Sequence, residues 1–224
     1  MTRGRVKAVH VGRAKEADFP SPRADTAIDK REVAGPVRIH RHGLAGDEQA
    51  DRRHHGGKDQ AVYAYAYEDT AWWSDRLGRQ LRTGVFGENI STTGLDVSGC
   101  LIGEIWRLGT GLVQVTSPRI PCRTFAGWIG VDHWVKAFAD AGRPGAYLRV
   151  MEEGRVATDD PVVVVDRPTA SISLAEVTRV YYGEWALLPR LVDAPGLATR
   201  WVALARQRIT DRTLSRLPDH PVEE

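Results

Sequence analysis

The chain has 224 residues, with 31 basic against 29 acidic side chains, a formal charge of +2, 42% hydrophobic and 27% charged residues. That profile suits one globular domain, with or without a small appendage, that buries its core without staples. The charge balance argues against nucleic acid or an acidic membrane as the main partner. Only two cysteines, Cys100 and Cys122, with no CxxC pair, argue against a disulfide scaffold or a Cys-rich zinc site.

The opening stretch MTRGRVKAVHVGRAKEADFP has no apolar run of the signal-peptide kind, and no segment approaches the roughly 18 apolar residues of a membrane span. The expectation is a cytoplasmic protein whose thiols stay reduced. RVKAVHVG alternates weakly and reads as a strand. AVYAYAY (61–67) alternates small and aromatic residues and reads as a half-buried strand. EDTAWWSDRLGRQL sets Trp73, Leu77 and Leu81 four apart, the stripe of a helix. GEIWRLGTGLVQVTS (103–117) reads as a hairpin around Gly109-Thr110-Gly111. AYLRVMEEGRV and PVVVVDRP add two strands. Residues 1–168 are therefore mainly β with inserted helices, as in a barrel or closed sheet.

Beyond Pro168 the pattern changes. Ser173-Leu174-Ala175-Glu176 fits an S-x-x-E capping box. Leu197, Trp201, Leu204 and Ala205 form a helical face, and Pro189 and Pro195-Gly196 divide the region into about three short helices. The expected layout is a C-terminal helical segment over 169–212 and a disordered tail over 213–224.

Four stretches concentrate reactive residue types. GLAGDEQADRRHHGGKDQAV (43–62) carries Asp47, His54, His55, Gly56, Gly57 and Lys58. Two glycines before a strand allow close backbone approach, and N–H groups with a lysine suit a phosphate. A solvated turn explains the same residues, and the Walker A spacing is missing. GVFGENIS offers Glu88 for acid–base work and Asn89 for hydrogen bonding a ring edge, or is simply a good turn. TSPRIPCRTF places Cys122 between stiffening prolines and between Arg119 and Arg123, which favour a thiolate able to act as nucleophile or soft-metal ligand; a buried inert thiol is the alternative. Cys100 has apolar neighbours and reads as inert. Arg149, mid-strand, needs a phosphate, a strand neighbour or solvent. His54, His55 and Cys122 make an awkward zinc set, because adjacent strand residues point to opposite faces.

In order, GLAGDEQAD, HGGKDQAV, FGENIS, GEIWRLGTGLVQVTSPRIPC and YLRVMEEGRV resemble the MOSC domain family, the stand-alone bacterial YiiM-type branch in particular, over about residues 1–210. The resemblance implies a MOSC β-barrel of the pyruvate kinase β-barrel-like type, followed by a small helical region, that binds molybdenum cofactor (molybdopterin). Cys122 would ligate molybdenum. Gly56, Gly57, Lys58, Asp47, Arg119, Arg123 and Arg149 would hold the cofactor, and His55 and Asn89 would join Cys122 at the reaction centre. The implied activity is reduction of N-hydroxylated compounds, hydroxylaminopurine-type base analogues among them, as detoxification. The absence of flavin, dinucleotide or iron–sulfur motifs implies an external flavoprotein electron donor. A non-catalytic carrier of sulfur or cofactor on Cys122 is the alternative, and a homodimer is left open. Three positions depart from the branch: Thr124 replaces a lysine, Ala146 a tryptophan, and His54 falls where the pattern calls for no histidine and reads as incidental.

Overall fold

Alternating apolar positions drive the chain into strands, and the strands close on one another. The structure, a computed structural model, describes residues 3–51 and 56–214. In chain order the strands are β1 (Arg3–Val11), β2 (Lys15–Glu16), β3 (Asp25–Thr26), β4 (Arg31–Glu32), β5 (Val37–His40), β6 (Gly43–Leu44), β7 (Val62–Ala66), β8 (Ile90–Thr93), β9 (Ile105–Leu108), β10 (Gly111–Pro118), β11 (Ala146–Glu152), β12 (Gly154–Val156) and β13 (Pro161–Asp166). The order β13-β9-β10-β11-β7-β8-β1 closes through β1–β13 pairing, which makes a seven-stranded barrel. Within the closed ring only β7 and β8 run parallel. β4 extends β1, while β12-β5-β6 and β2-β3 form small side sheets.

β7 corrects one expectation, because all five of its residues are buried. Its two-residue period sorts side chains between two cores rather than between core and water. Val62, Ala64 and Ala66 belong to the barrel core, and Tyr63 and Tyr65 belong to an aromatic cluster with Trp73, Phe86, Phe125 and Trp134. That cluster is roofed by α1 (Tyr67–Leu77), α2 (Arg123–Ile129) and α3 (Trp134–Asp140). α1 stops at Gly78, whose left-handed φ of 61° suits glycine, so Leu81 falls outside the expected helix. The weak alternation in β1 also has a cause: its pairing with β8 slips between Val6 and Ala8, and Ala8 and Val9 are both buried. The 103–117 hairpin forms as read. Its loop is Gly109-Thr110, with Gly111 already paired to Leu108.

The C-terminal region forms α4 (Leu174–Tyr181), α5 (Leu188–Val192) and α6 (Thr199–Leu214). Ser173 caps α4: its Oγ accepts from the Glu176 amide at 3.2 Å, and Glu176 Oε2 accepts from the Ser173 amide at 2.9 Å. Pro189 sits in the first turn of α5, where its missing N–H costs nothing. α6, at 16 residues, is longer than the short helix expected. Leu174, Val177, Leu191, Leu197, Trp201 and Ala205 share one apolar core with the barrel. Most of the segment expected to be a disordered tail lies outside the described residues. Among the described residues, no helix is long and apolar enough to cross a membrane.

Candidate active site

The loop leaving β10 positions the thiol. Pro118 ends the strand, Pro121 stiffens the turn, and Cys122 precedes α2 in extended conformation, φ −128° and ψ 172°. Cys122 is half-buried and lines a cavity whose walls include Ile28, Lys30, Asp47, Gln60, Tyr63, Asn89, Arg119, Thr124 and Tyr147. Arg119 is only 6% exposed. Its guanidinium lies 4.4 Å from the Phe125 ring centre and 5.3 Å from that of Tyr63, and Nη1 donates to Tyr147 Oη at 3.3 Å. Burial alone would lower the Arg119 pKa. The phenols of Tyr147 and Tyr63, then Cys122 and Glu88, outweigh burial and raise it, so this cation stays charged beside the thiol. Its Nε has no hydrogen-bond partner among the described residues.

A buried charge chain forms another wall. Lys30 Nζ pairs with Asp47 Oδ1, which also accepts from the Gly12 amide at 2.8 Å. Asp47 Oδ2 accepts from Asn89 Nδ2 at 2.9 Å. Asn89 Oδ1 accepts from the Tyr63 amide at 3.1 Å, and Nδ2 also reaches His10 O at 3.3 Å. Burial lowers the Lys30 pKa and Asp47 opposes that shift. Gln60, 4% exposed, lines the same cavity, and its Nε2 has no partner among the described residues.

Of the residues expected at the site, Cys122, Arg119, Asn89 and Asp47 converge on this cavity. Asn89 does so with its side chain already engaged by Tyr63, His10 and Asp47. Gly56, Gly57 and Lys58 do not line it. Gly57, at φ 84°, opens the tight turn Lys58–Gln60 and donates to Gln49 Oε1 at 2.9 Å; Lys58 is exposed. Arg149 is placed elsewhere too. It pairs with Asp59 Oδ1 at 2.9 Å and Gln114 Oε1 at 3.1 Å, Gln114 being its neighbour on β10. Arg123 is exposed and lines a second cavity on which Cys122 also opens. His54 and His55 lie outside the described residues. Glu88 shapes a loop: its fully buried carboxylate accepts from the Phe86 amide at 3.0 Å and Ser91 Oγ at 2.9 Å, and burial raises its pKa. Among the described residues no three metal-ligating side chains cluster. Thr124 lines the cavity with its hydroxyl 3.1 Å from Ser21 Oγ.

Sequence reasoning missed Lys30, Gln60, Tyr63 and Tyr147. Gln60 sits inside the HGGKDQAV motif and was overshadowed by Lys58. Lys30 has no local signal, because only tertiary packing carries it to the cavity.

The donors Arg119 and Gln60 suit an anion; of the four acids that also line the cavity, Asp47 is paired with Lys30 and Asp51 with Arg23. Arg119 and Gln60, whose Nε and Nε2 have no hydrogen-bond partner among the described residues, line one cavity with Cys122 and buried Lys30. An orphaned buried donor costs about 1–3 kcal/mol unless something accepts from it. The enclosed volume is about 100 Å³, room for a phosphate- or metal-sized head rather than a whole pterin. The residues therefore fit the anionic, sulfur-bearing end of a molybdenum cofactor.

The sequence profile of the MOSC domain matches residues 51–163. The chain is 32% identical to the uncharacterized protein YflK of Bacillus subtilis over 88% of its own length and 91% of that protein. It is 31% identical to protein YiiM of Escherichia coli, over 82% and 84% of the two chains. A Gibberella moniliformis protein named Reductase is 30% identical over 77% of the chain, which spans 31% of that longer protein. The crystal structure of YiiM from Geobacillus stearothermophilus superposes with a TM-score of 0.77 at 31% identity, covering 92% of this chain and 99% of that one. With barrel, motif order and full-length relatives in agreement, the chain belongs to the MOSC domain family.

Proposed function

We propose that this protein is a molybdenum-cofactor-dependent reductase of N-hydroxylated compounds, hydroxylaminopurine-type base analogues among them, working in the cytoplasm with electrons from an external flavoprotein. The observation that carries the reading is the sharing of one cavity by Cys122 with Arg119 and Gln60, whose Nε and Nε2 have no hydrogen-bond partner among the described residues. Family membership and a relative named Reductase support it.

Cys122 would give the metal a protein thiolate, which suits a soft or borderline ion. Arg119 and Gln60 would donate to the cofactor's anionic end, and the Lys30–Asp47 pair would hold the wall behind them in place. When bound, the cofactor supplies the two-electron chemistry. The balance is R–NHOH + 2e⁻ + 2H⁺ → R–NH₂ + H₂O: the N–O bond breaks, nitrogen is reduced and the donor flavin is oxidised. Tyr147 Oη accepts from Arg119, which leaves its O–H hydrogen directed elsewhere. It borders both cavities that meet at Cys122 and would protonate the departing hydroxyl oxygen, then recover the proton from water.

The test is elemental analysis of wild type against Cys122→Ala, with turnover of hydroxylaminopurine by the cofactor-loaded protein and a reduced flavin donor. Molybdenum retained in wild type and lost in the variant, with release of the amine, is expected. Equal metal in both proteins, or no turnover of any hydroxylamine, overturns the reading. A persulfide on Cys122 without metal would point to a carrier instead.

A further inference from the structure

Cys122 lies on the border of two cavities, and the second is unlike the first. It holds about 590 Å³, within the range that suits a small organic ligand. Barrel and C-terminal helices build it together: Tyr147 from β11, Tyr181 at the end of α4, and Arg200, Trp201 and Leu204 from α6, with Cys122 between. Trp201 is 3% exposed, and its indole N–H has no partner among the described residues. Its ring meets Tyr181 edge-on at 5.7 Å. Arg23, Arg123 and Arg200 also line the space against one acid, Asp51, so the walls are aromatic and carry a positive excess.

The place of α6 is fixed from the barrel. Asp59 Oδ2 accepts from the Thr199 amide at 3.1 Å while Oδ1 accepts from Arg149. Asp59 thus ties the first turn of α6, where Arg200 and Trp201 sit, to β11. Asp59, next to Lys58 in the HGGKDQ motif, and Arg149 form this clamp. Arg200 stands in the electrostatic reach of Tyr147, Tyr181 and Asp59.

We infer that this second cavity is the substrate subsite, and that it takes a flat aromatic compound bearing an anionic group, carboxylate or phosphate, with Tyr181 and Trp201 against the ring and Arg200 reading the charge. This rests on the reading of Cys122 as the reducing centre: a ring held here presents its N-hydroxyl substituent to the thiol's side of the border. Aromatic faces hold planar rings, and arginine recognises both oxyanions.

The experiment is calorimetric binding of product-like amines to the protein as purified, with adenine against adenosine monophosphate for phosphate and aniline against 4-aminobenzoate for carboxylate. We expect at least one anionic member to bind about tenfold more tightly than its neutral partner; which pair shows it identifies the anion. Arg200→Gln should remove that preference, and Tyr181→Leu, at a half-exposed position, should weaken both members of the pair. Cyclohexylamine, of similar size but not flat, should bind more weakly than aniline. Equal binding of neutral and anionic partners, or loss in Gln60→Ala rather than in the two second-cavity variants, overturns the inference. If no hydroxylamine is reduced but the charge preference and its Arg200 dependence hold, the proposed function fails and the subsite stands.

Discussion

Asn89 and Asp47 are joined side chain to side chain, Nδ2 to Oδ2 at 2.9 Å, and Asp47 in turn neutralises buried Lys30. Removing the carboxylate strands a cation away from water. Asp47→Ala should therefore cost about 3–5 kcal/mol in urea unfolding, and Lys30→Met added to it should recover part of the loss. A double variant no better than the single would mean that the pair contributes through packing alone.

His10 is fully buried, with neither ring nitrogen partnered among the described residues. Burial lowers its pKa from 6.5 to about 4, against the Asn89 backbone contact and with Arg82 and Lys30 adding to the fall. The unfolded chain thus binds a proton between pH 6.5 and 4 that the fold refuses. Stability is complete above pH 6.5 and falls by up to about 3 kcal/mol as pH drops to 4. Glu88 acts oppositely, since its raised pKa favours the fold on acidification. Chemical denaturation of wild type and His10→Met across this window isolates the histidine: the variant should lose less than half as much. Parallel curves would remove His10 as the cause.

The two thiols should separate cleanly. Cys100 is 2% exposed, its Sγ lies 2.8 Å from Val97 O, and burial raises its pKa well above the ordinary range. Cys122 is half-buried on open cavities. Iodoacetamide should add one label to the native protein, at Cys122, and a second only after unfolding. Mass spectrometry of the digested protein reads both.

The cap of α4 gives a measurable increment. Ser173→Ala removes the acceptor of the Glu176 amide and half of a reciprocal pair, and should cost about 1 kcal/mol. Glu176 also holds Arg190 at 2.7 Å, so Glu176→Ala should cost at least as much. Thermal unfolding would show both.

Much of the barrel can be read from β7 and β10, whose apolar periods survive in the fold, from the valine run of β13, and from Ser173, whose capping box forms as written. Burial on both sides of β7 is not readable locally, because Tyr63 and Tyr65 face α1–α3, two of which are seven-residue helices too short for a periodic signal. The two-residue strands between Lys15 and Leu44 leave no pattern at all. At the site, Cys122 and Arg119 announce themselves by local charge and proline. Lys30 and Tyr147 reach the cavity only through strand pairing and packing, and the Asp59 partner of Arg149 is not legible locally because it lies 90 positions away.

The parallel run of β7 beside β8 has a consequence for assembly. Strands that point the same way begin at the same rim, so Gln60 before β7 and Asn89 before β8 meet there only after the 67–89 excursion has come back across the ring. Long-range parallel pairing forms late. No fragment of the chain assembles the donor set in advance; the ring must shut first. A ligand held by those donors then acts as a latch on the shut ring, and its arrival should raise the melting temperature in proportion to how tightly it is gripped.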